Sequence, residues 1–326
     1  MTDAAGFRAD VDRVPETLLE LAAALDQERT WPFTEAPRRL LLLGMGSSHY
    51  AADVCARRLR SAGIDAVAEL SSVVSTWPPS RDLAVVAISA GGTSGETLLA
   101  LEPHLGTSHV VALTNRVESQ MAKRCDEVVP MRAGDEVGGV ACRTYRHTIA
   151  CLFALEAQLL GHPGPAAALR RAAGATYDLL DRKRAWLPAL VEALDSPDGL
   201  WLLAPAERLA SAMQGALMVR EGPRRNAAGC ETGDWSHVDV YLTKTLDYRA
   251  IVYSGSRWAA EAARWMQERS TTTVAVGGPL PGAHCEIHYD GEDDDRVALL
   301  TEPLVAELLA AEWWDQYGDS TSPIST

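Results

Sequence analysis

Arg39-Leu40-Leu41-Leu42-Leu43-Gly44-Met45-Gly46-Ser47-Ser48 is the stretch that decides the fold of this 326-residue chain. An apolar run of strand length ends in two glycines, and a helical period then runs to about Leu59. A run of this kind reads as a strand buried on both faces, which is the habit of parallel sheets. The glycines allow a tight turn. Two serines at a helix start set hydroxyls beside unpaired backbone N–H groups, which makes an anion site. Serine at that position also caps a helix, so capping alone is the alternative reading.

The same grammar repeats along the chain. Leu83-Ala84-Val85-Val86-Ala87-Ile88 is a second buried strand, followed by the turn Ser89-Ala90-Gly91-Gly92-Thr93-Ser94 and a helix to about Leu105. His109 to Leu113 is a third strand, Asp65 to Glu69 a short alternating one and Glu127 to Val129 another, with helices expected near Ser119 to Arg124 and from about Ala141 to Leu160. In an open parallel sheet the strand C-termini gather along one edge, so two such turns can face one ligand. The pair is more specific than either turn alone.

Beyond Gly161-His162-Pro163-Gly164-Pro165 come two helical stretches, and then the order restarts. Leu200 to Leu203, Arg249 to Tyr253 and Thr272 to Val276 are strands, with helices over Glu207 to Glu221 and Trp258 to Glu268. Setting Leu41 on Trp201, Val85 on Ile251 and Val110 on Thr273 gives offsets of about 160 to 166 residues, a domain duplication rather than a solenoid. The expected organisation is an N-terminal helical segment (1–34), a first α/β domain (35–165), a helical linker (166–194), a second α/β domain (195–318) and a tail (319–326). The second copy is degenerate: Ala204-Pro205-Ala206 stands where the first has Gly44-Met45-Gly46.

Composition narrows the function. The net charge of −14 argues against nucleic acid, which demands a basic stripe. No apolar run approaches the roughly 18 residues of a membrane span, and the N-terminus lacks a signal-peptide layout, so a cytoplasmic protein is expected. Six scattered cysteines read as reduced thiols, with Cys55 and Cys151 in the core. Neither a zinc cluster nor HExxH occurs, and no metal or cofactor is expected. In so acidic a chain, helix N-termini and a few arginines must supply the field for any anionic ligand. Only Lys123, Lys183 and Lys244 are available to a lysine mechanism.

Taken together, these motifs resemble the SIS (sugar isomerase) family, in particular the isomerase half of glucosamine-6-phosphate synthases. Gly44-Met45-Gly46-Ser47-Ser48 is similar to GCGTS, and Leu83 to Leu101 to a strand followed by SQSGET. Glu136-Val137-Gly138-Gly139-Val140-Ala141-Cys142 is similar to EIGVAS with one extra glycine, and Ala212 to Glu221 to ALEGALKLKE. The resemblance implies two flavodoxin-like αβα domains with parallel sheets, and a homodimer that shares its active site between subunits. It implies a substrate- or phosphate-binding set of Gly46, Ser47, Ser48, Ser89, Gly91, Gly92, Thr93, Ser94, Cys142 and Arg143, with the four serines holding the phosphate. Cys142 stands where the family has serine. A gapped alternative sets Ser94-Gly95-Glu96-Thr97 on SGET. Glu221 matches the general base between C1 and C2, and His237, sixteen residues on, the ring-opening histidine. Aldose–ketose isomerisation needs both roles.

Departures from the pattern shape the expectation. Ala90 and Gly91 replace a glutamine and a serine, Met218 replaces a lysine, and the tail from Asp315 has no lysine. No glutamine-hydrolysing segment precedes the first domain, so a glutamine-independent sugar or sugar-phosphate isomerase is expected. A deaminase or deglycase of amino-sugar phosphates and a non-catalytic sugar-phosphate binder are the alternatives, as is an enzyme for an unphosphorylated sugar. Arg143 reads equally as a source of positive field or a surface ion pair; Arg220, Arg224 and Arg225 share that choice or line a dimer contact. Glu221 alone is a helix-end carboxylate, His237 a loop histidine, and His49 either a ligand contact beside the anion turn or a surface helix position. Glu292 to Asp295 reads as a solvated loop, Trp313-Trp314 as packing, and Leu18 to Ala22 as an amphipathic helix docked on a partner or on the second domain.

Overall fold

The computed structural model describes residues 3–33 and 35–317. Two helices, α1 (Ala4–Asp12) and α2 (Val14–Gln27), precede the first sheet. That sheet is built from β1 (Arg39–Gly44), α3 (Ser47–Ser61), β2 (Asp65–Leu70), β3 (Leu83–Ile88), α4 (Gly95–Leu101), β4 (His109–Thr114), β5 (Glu127–Pro130) and α5 (Arg143–Leu160). Helices α6 (Ala166–Asp181) and α7 (Lys183–Leu194) follow. The second sheet brings β6 (Leu200–Ala204), α8 (Leu209–Glu221), β7 (Ala227–Glu231), α9 (Thr232–Trp235), β8 (Arg249–Tyr253), α10 (Ala259–Glu268), β9 (Thr272–Val276) and β10 (Cys285–Ile287). Helices α11 (Asp295–Thr301) and α12 (Pro303–Tyr317) end the described chain. None of the described helices is long and apolar enough to cross a membrane.

Every strand pairing is parallel. The first sheet runs β2-β1-β3-β4-β5 and the second β10-β9-β8-β6-β7. Read from its own first strand, the second has the same order as the first, so the duplication seen as a sequence offset is also a duplication of topology. Both are the flavodoxin-like arrangement, whose direction of winding reverses between the first and third strands. The central strands are buried along their length because helices cover both faces. Leu41, Leu43, Val85, Ala87 and Val110 pack into one core of the first sheet, and Trp201, Leu203, Val252 and Ala275 into one of the second.

Two edge strands were not expected. Ala227-Ala228-Gly229-Cys230-Glu231 has little strand propensity and forms β7 because β6 offers it a full parallel ladder. A Cβ at Gly229 would meet the Met213 nitrogen at 2.8 Å, so the glycine lets α8 lie directly on this strand. The three-residue β10 is an edge of the same kind, pairing with β9. The helix expected over Ser119 to Arg124 is a single 3-10 turn at Ala122–Arg124, and the acidic run Glu292 to Asp295 includes the Asp294 cap of α11. Trp313 and Trp314 are buried packing residues.

The described chain separates into two compact units. One holds residues up to Glu16, Glu136–Cys142 and those from Arg171; the other holds Thr17–Asp135 and Arg143–Arg170. Helix α1 packs on α12, with Phe7 and Trp314 rings 6.0 Å apart and Arg8 paired to Glu312. Leu18, Leu21 and Ala22 of α2 are buried, and from Thr17 on the helix counts with the first-sheet unit. Cys55 and Cys151 are buried and their thiols are pushed up by burial, that of Cys151 to about 12.

Candidate functional site

In the first-sheet unit, the turns after β1 and β3 leave neighbouring strands of the sheet at its C-terminal edge. Gly44 is packed hard against the helix start: a Cβ there would meet the Ser48 carbonyl carbon at 2.9 Å. Gly46 caps α3 at φ +50 and brings no side chain to the helix end, where Ser47 and Ser48 open the first turn. No acidic residue lies in the first turn of this 15-residue helix, and the positive end of its dipole is unopposed. His49 Nδ1 is buried just beyond, with no hydrogen-bond partner among the described residues.

The second turn is held from beside it. Ala90 O accepts from Thr114 Oγ1 and from the Asn115 N–H, both at 3.1 Å. Met121 N–H donates to Gly92 O at 3.0 Å. Gly92 sits at φ +62, and a Cβ there would overlap the Ser119 side chain. Ser89 Oγ accepts the Gly92 N–H at 3.2 Å. Ser94 caps α4, accepting from the Thr97 N–H at 3.3 Å and donating to Glu96 at 2.9 Å. Gly91 and Thr93 are exposed. Ser94 is therefore engaged by its own helix, and the Glu96 carboxylate, held down by backbone and Ser94 hydrogen bonds, adds negative charge on that side.

Arg143 is not a surface residue: it is 1% exposed, and its guanidinium donates to Ala133 O at 2.7 Å and to Asp135 O, fixing the loop after β5. Arg225 is likewise committed, to Asp195 at 2.6 Å and over the Trp313 ring at 4.1 Å. Arg220 Nε donates to Ala216 O on its own helix. The α3 N-terminus offers its amides at the first turn, that of Ser48 already donating to Met45 O at 3.1 Å.

Cys142, Glu221 and His237 lie in the other unit. Gln214, Met218 and Glu221 share one face of α8 by their four- and three-residue spacing. Gln214, fully buried, donates to Ala141 O at 2.7 Å and to Met218 Sδ at 3.5 Å. Met218 is fully buried as well, so the lysine of the SIS motif would bring an unmatched charge inside. Glu136 Oε1 accepts the Cys142 N–H at 2.7 Å. Glu221 is exposed at the helix end, yet burial raises its carboxyl pKa; Arg220 opposes the rise and Glu136 adds to it. His237 is exposed in the turn after α9.

The extra glycine of the Glu136–Cys142 segment has a structural cause. Gly138 lies against Gly6 of α1, where a Cβ on Gly6 would meet Gly138 N at 2.9 Å. The buried Asp10 carboxylate accepts the Gly138 N–H at 2.8 Å. The segment is thus clamped between α1 and α8. Glu136, Asp10 and Gln214 were not among the expected site residues; for Glu136 the signal was its place in the EIGVAS-like motif.

Two five-stranded parallel sheets of identical topology, the first carrying paired Gly/Ser turns at its strand switch, are what the SIS resemblance led us to expect, and known proteins share the architecture. The chain is 23% identical over 303 residues to a glutamine–fructose-6-phosphate aminotransferase (isomerizing) of Sulfurisphaera tokodaii, covering 91% of this chain and 50% of the relative. It is 27% identical over 244 residues to the enzyme of the same name from Pyrobaculum aerophilum, covering 71% and 40%. The chain therefore spans about half the length or less of these curated relatives. No family model matches.

Solved structures share the fold. The C-terminal domain of glucosamine-fructose-6-phosphate aminotransferase from Francisella tularensis superposes with a TM-score of 0.81 at 12% identity, over 94% of this chain and 96% of that one. Glucosamine-6-phosphate deaminase from Thermotoga maritima gives 0.75 at 16%, over 96% and 95%. Tagatose-6-phosphate ketose/aldose isomerase from Escherichia coli gives 0.72 at 15%, over 97% and 95%.

Proposed function

We propose that the protein is an aldose–ketose isomerase of a sugar phosphate or amino-sugar phosphate. The observation that carries this reading is the pair of turns at the β1/β3 switch, one opening α3 with Ser47 and Ser48 and the other tied rigidly to β4. Ser47 and Ser48, with the α3 amides, hold the phosphate; Ser89 shapes the second turn, and Ser94 contributes only where its bond to Glu96 is exchanged for one to the phosphate. Glu221 moves the proton between C1 and C2, a role helped by a carboxyl pKa raised towards the working pH. His237 exchanges a proton with the ring oxygen. As in the family pattern, the reading places these groups in a site shared between two copies of the chain.

A second reading is a binder without catalysis or a protein for an unphosphorylated sugar; the Ser94–Glu96 hydrogen bond weakens the second turn as an anion site and favours the unphosphorylated ligand. The test is incubation with fructose-6-phosphate, tagatose-6-phosphate or glucosamine-6-phosphate in deuterium oxide. Exchange at C1 or C2, abolished in Glu221→Gln while ligand-induced thermal stabilisation persists, supports the isomerase. Ammonia release from glucosamine-6-phosphate would reassign it as a deaminase. Stabilisation without exchange for every sugar supports the binder, and exchange that survives Glu221→Gln removes this residue as the base.

A further inference from the structure

The second sheet has its own switch, between β6 and β8, and a crevice of about 620 Å³ opens there. Crevices at this point of an open α/β sheet are where such folds bind ligands. It is formed by the turn after β6 (Pro205 to Arg208), the end of β7, and Ser254-Gly255-Ser256-Arg257-Trp258 after β8. The last of these is a Gly/Ser turn in the place of Ser89 to Gly92, although Ala204-Pro205-Ala206 has lost the glycines of the first.

Arg208 lines this crevice at 3% exposure. Its Nη1 pairs with the fully buried Glu302, its Nη2 donates to Ser254 O, and Asp295 lies 3.1 Å from its Nε. Gly255, at φ +102, admits the guanidinium: a Cβ would stand 2.7 Å from Nη2. A buried ion pair gives little net stability, and this one serves to fix donors and a backbone carbonyl beneath the crevice. Trp258 is 50% exposed at the crevice wall, one indole edge seated on Gly233, where a Cβ would be 2.7 Å from Cδ1. A half-open indole held in place is an apolar platform with a cation-attracting face.

Charge decides the ligand class. Glu207, Glu231, Glu292, Asp293 and Asp295 line the crevice with Arg208 and Arg257. Arg208 is shared by Glu302 and Asp295, Glu292 pairs with His288 and Asp293 lies 4.0 Å from Arg171, so the balance is still acidic, carried mainly by Glu207 and Glu231. Phosphates and carboxylates are repelled. Among the described residues no group of three His, Cys, Asp or Glu side chains is placed to hold a metal ion. Carboxylates that accept from vicinal hydroxyls, beside an aromatic platform, fit a compact polyol.

We infer that the β6/β8 crevice is a second small-molecule site, for a sugar or polyol without an anionic group, and most favourably one bearing an ammonium. The site lies wholly within the second-sheet unit and does not depend on the isomerase reading. Calorimetric titration of the full chain with glucosamine, glucose and glucosamine-6-phosphate tests it. Glucosamine should bind saturably and more tightly than glucose, roughly tenfold more weakly in Trp258→Ala, and more weakly in Glu207→Gln, an exposed position whose change leaves the fold intact. Ser47→Ala should leave glucosamine binding unchanged. Absence of saturable binding by either unphosphorylated sugar, binding indifferent to both crevice variants, or binding lost in Ser47→Ala overturns the inference.

Discussion

Gln214 Nε2 donates to the backbone carbonyl of Ala141 at 2.7 Å from a side chain with no solvent exposure. The bond ties the helix ending at Glu221 to the segment carrying Glu136 and Cys142, although the two are more than seventy residues apart in sequence. Gln214→Leu leaves that carbonyl without its donor. The expected loss is about 1–3 kcal/mol, read as a lower denaturant midpoint at unchanged slope.

Glu136 adds its charge to the forces that raise the Glu221 pKa, after burial and against Arg220. A base works ionised, so the rate falls as pH drops through its pKa. Glu136→Gln keeps an acceptor for the Cys142 N–H but removes the charge, and the acid limb of the isotope-exchange profile should move to lower pH. A limb that stays in place would separate Glu136 from Glu221.

The two turn glycines are not equivalent. Gly46 needs only its backbone conformation, φ +50 and ψ −128, since nothing lies within 4 Å of where a Cβ would stand, and Gly46→Ala should cost about 1–3 kcal/mol. Gly92→Ala also sits at a positive φ, +62, and meets the Ser119 side chain as well, adding about 1–3 kcal/mol. Thermal denaturation of the two variants side by side gives the order.

The Arg208–Glu302 pair is buried on both sides. Burial is the main force raising the Glu302 pKa, with Arg208 opposing it. Arg208→Met alone strands a carboxylate and should cost about 3–5 kcal/mol. The double variant Arg208→Met, Glu302→Leu should be more stable than the sum of the single losses predicts, as a double-mutant cycle in urea will report.

His147 is buried, with Nδ1 2.9 Å from Met131 O. Burial, helped by Arg143 and Arg146, depresses its pKa from 6.5 to about 4. Between those values only the unfolded chain takes up the proton. The stability tied to neutral His147 is therefore whole above 6.5 and is lost as pH falls towards 4. His147→Gln, which keeps a donor, should flatten the stability difference measured between about pH 7 and about pH 5.

The strands at the sheet centres were legible because burial on both faces leaves continuous apolar runs, as in Leu40 to Leu43 and Val85 to Ile88. Edge strands β7 and β10 were not, since their pairing comes from a neighbour rather than from their own composition. The two turns after β1 and β3 were legible as glycine and serine punctuation. The second crevice was half legible: Ser254-Gly255-Ser256 repeats that punctuation, but Arg208 is brought there by Glu302, far along the chain.

By itself the sequence determined the alternation of strand and helix, the repeat of about 160 residues and the placing of Ser47 and Ser48 at a helix start, because these follow from local periodicity and turn chemistry. Tertiary structure decided which polar groups stay available. Arg143 read as a source of positive field or a surface ion pair and is buried with its guanidinium on two carbonyls, while Ser94 is bound to its own helix. The extra Gly138 became intelligible only against Gly6 of α1. Hydrogen-bond partners and close approaches are set by distance in space, which composition along the chain does not encode.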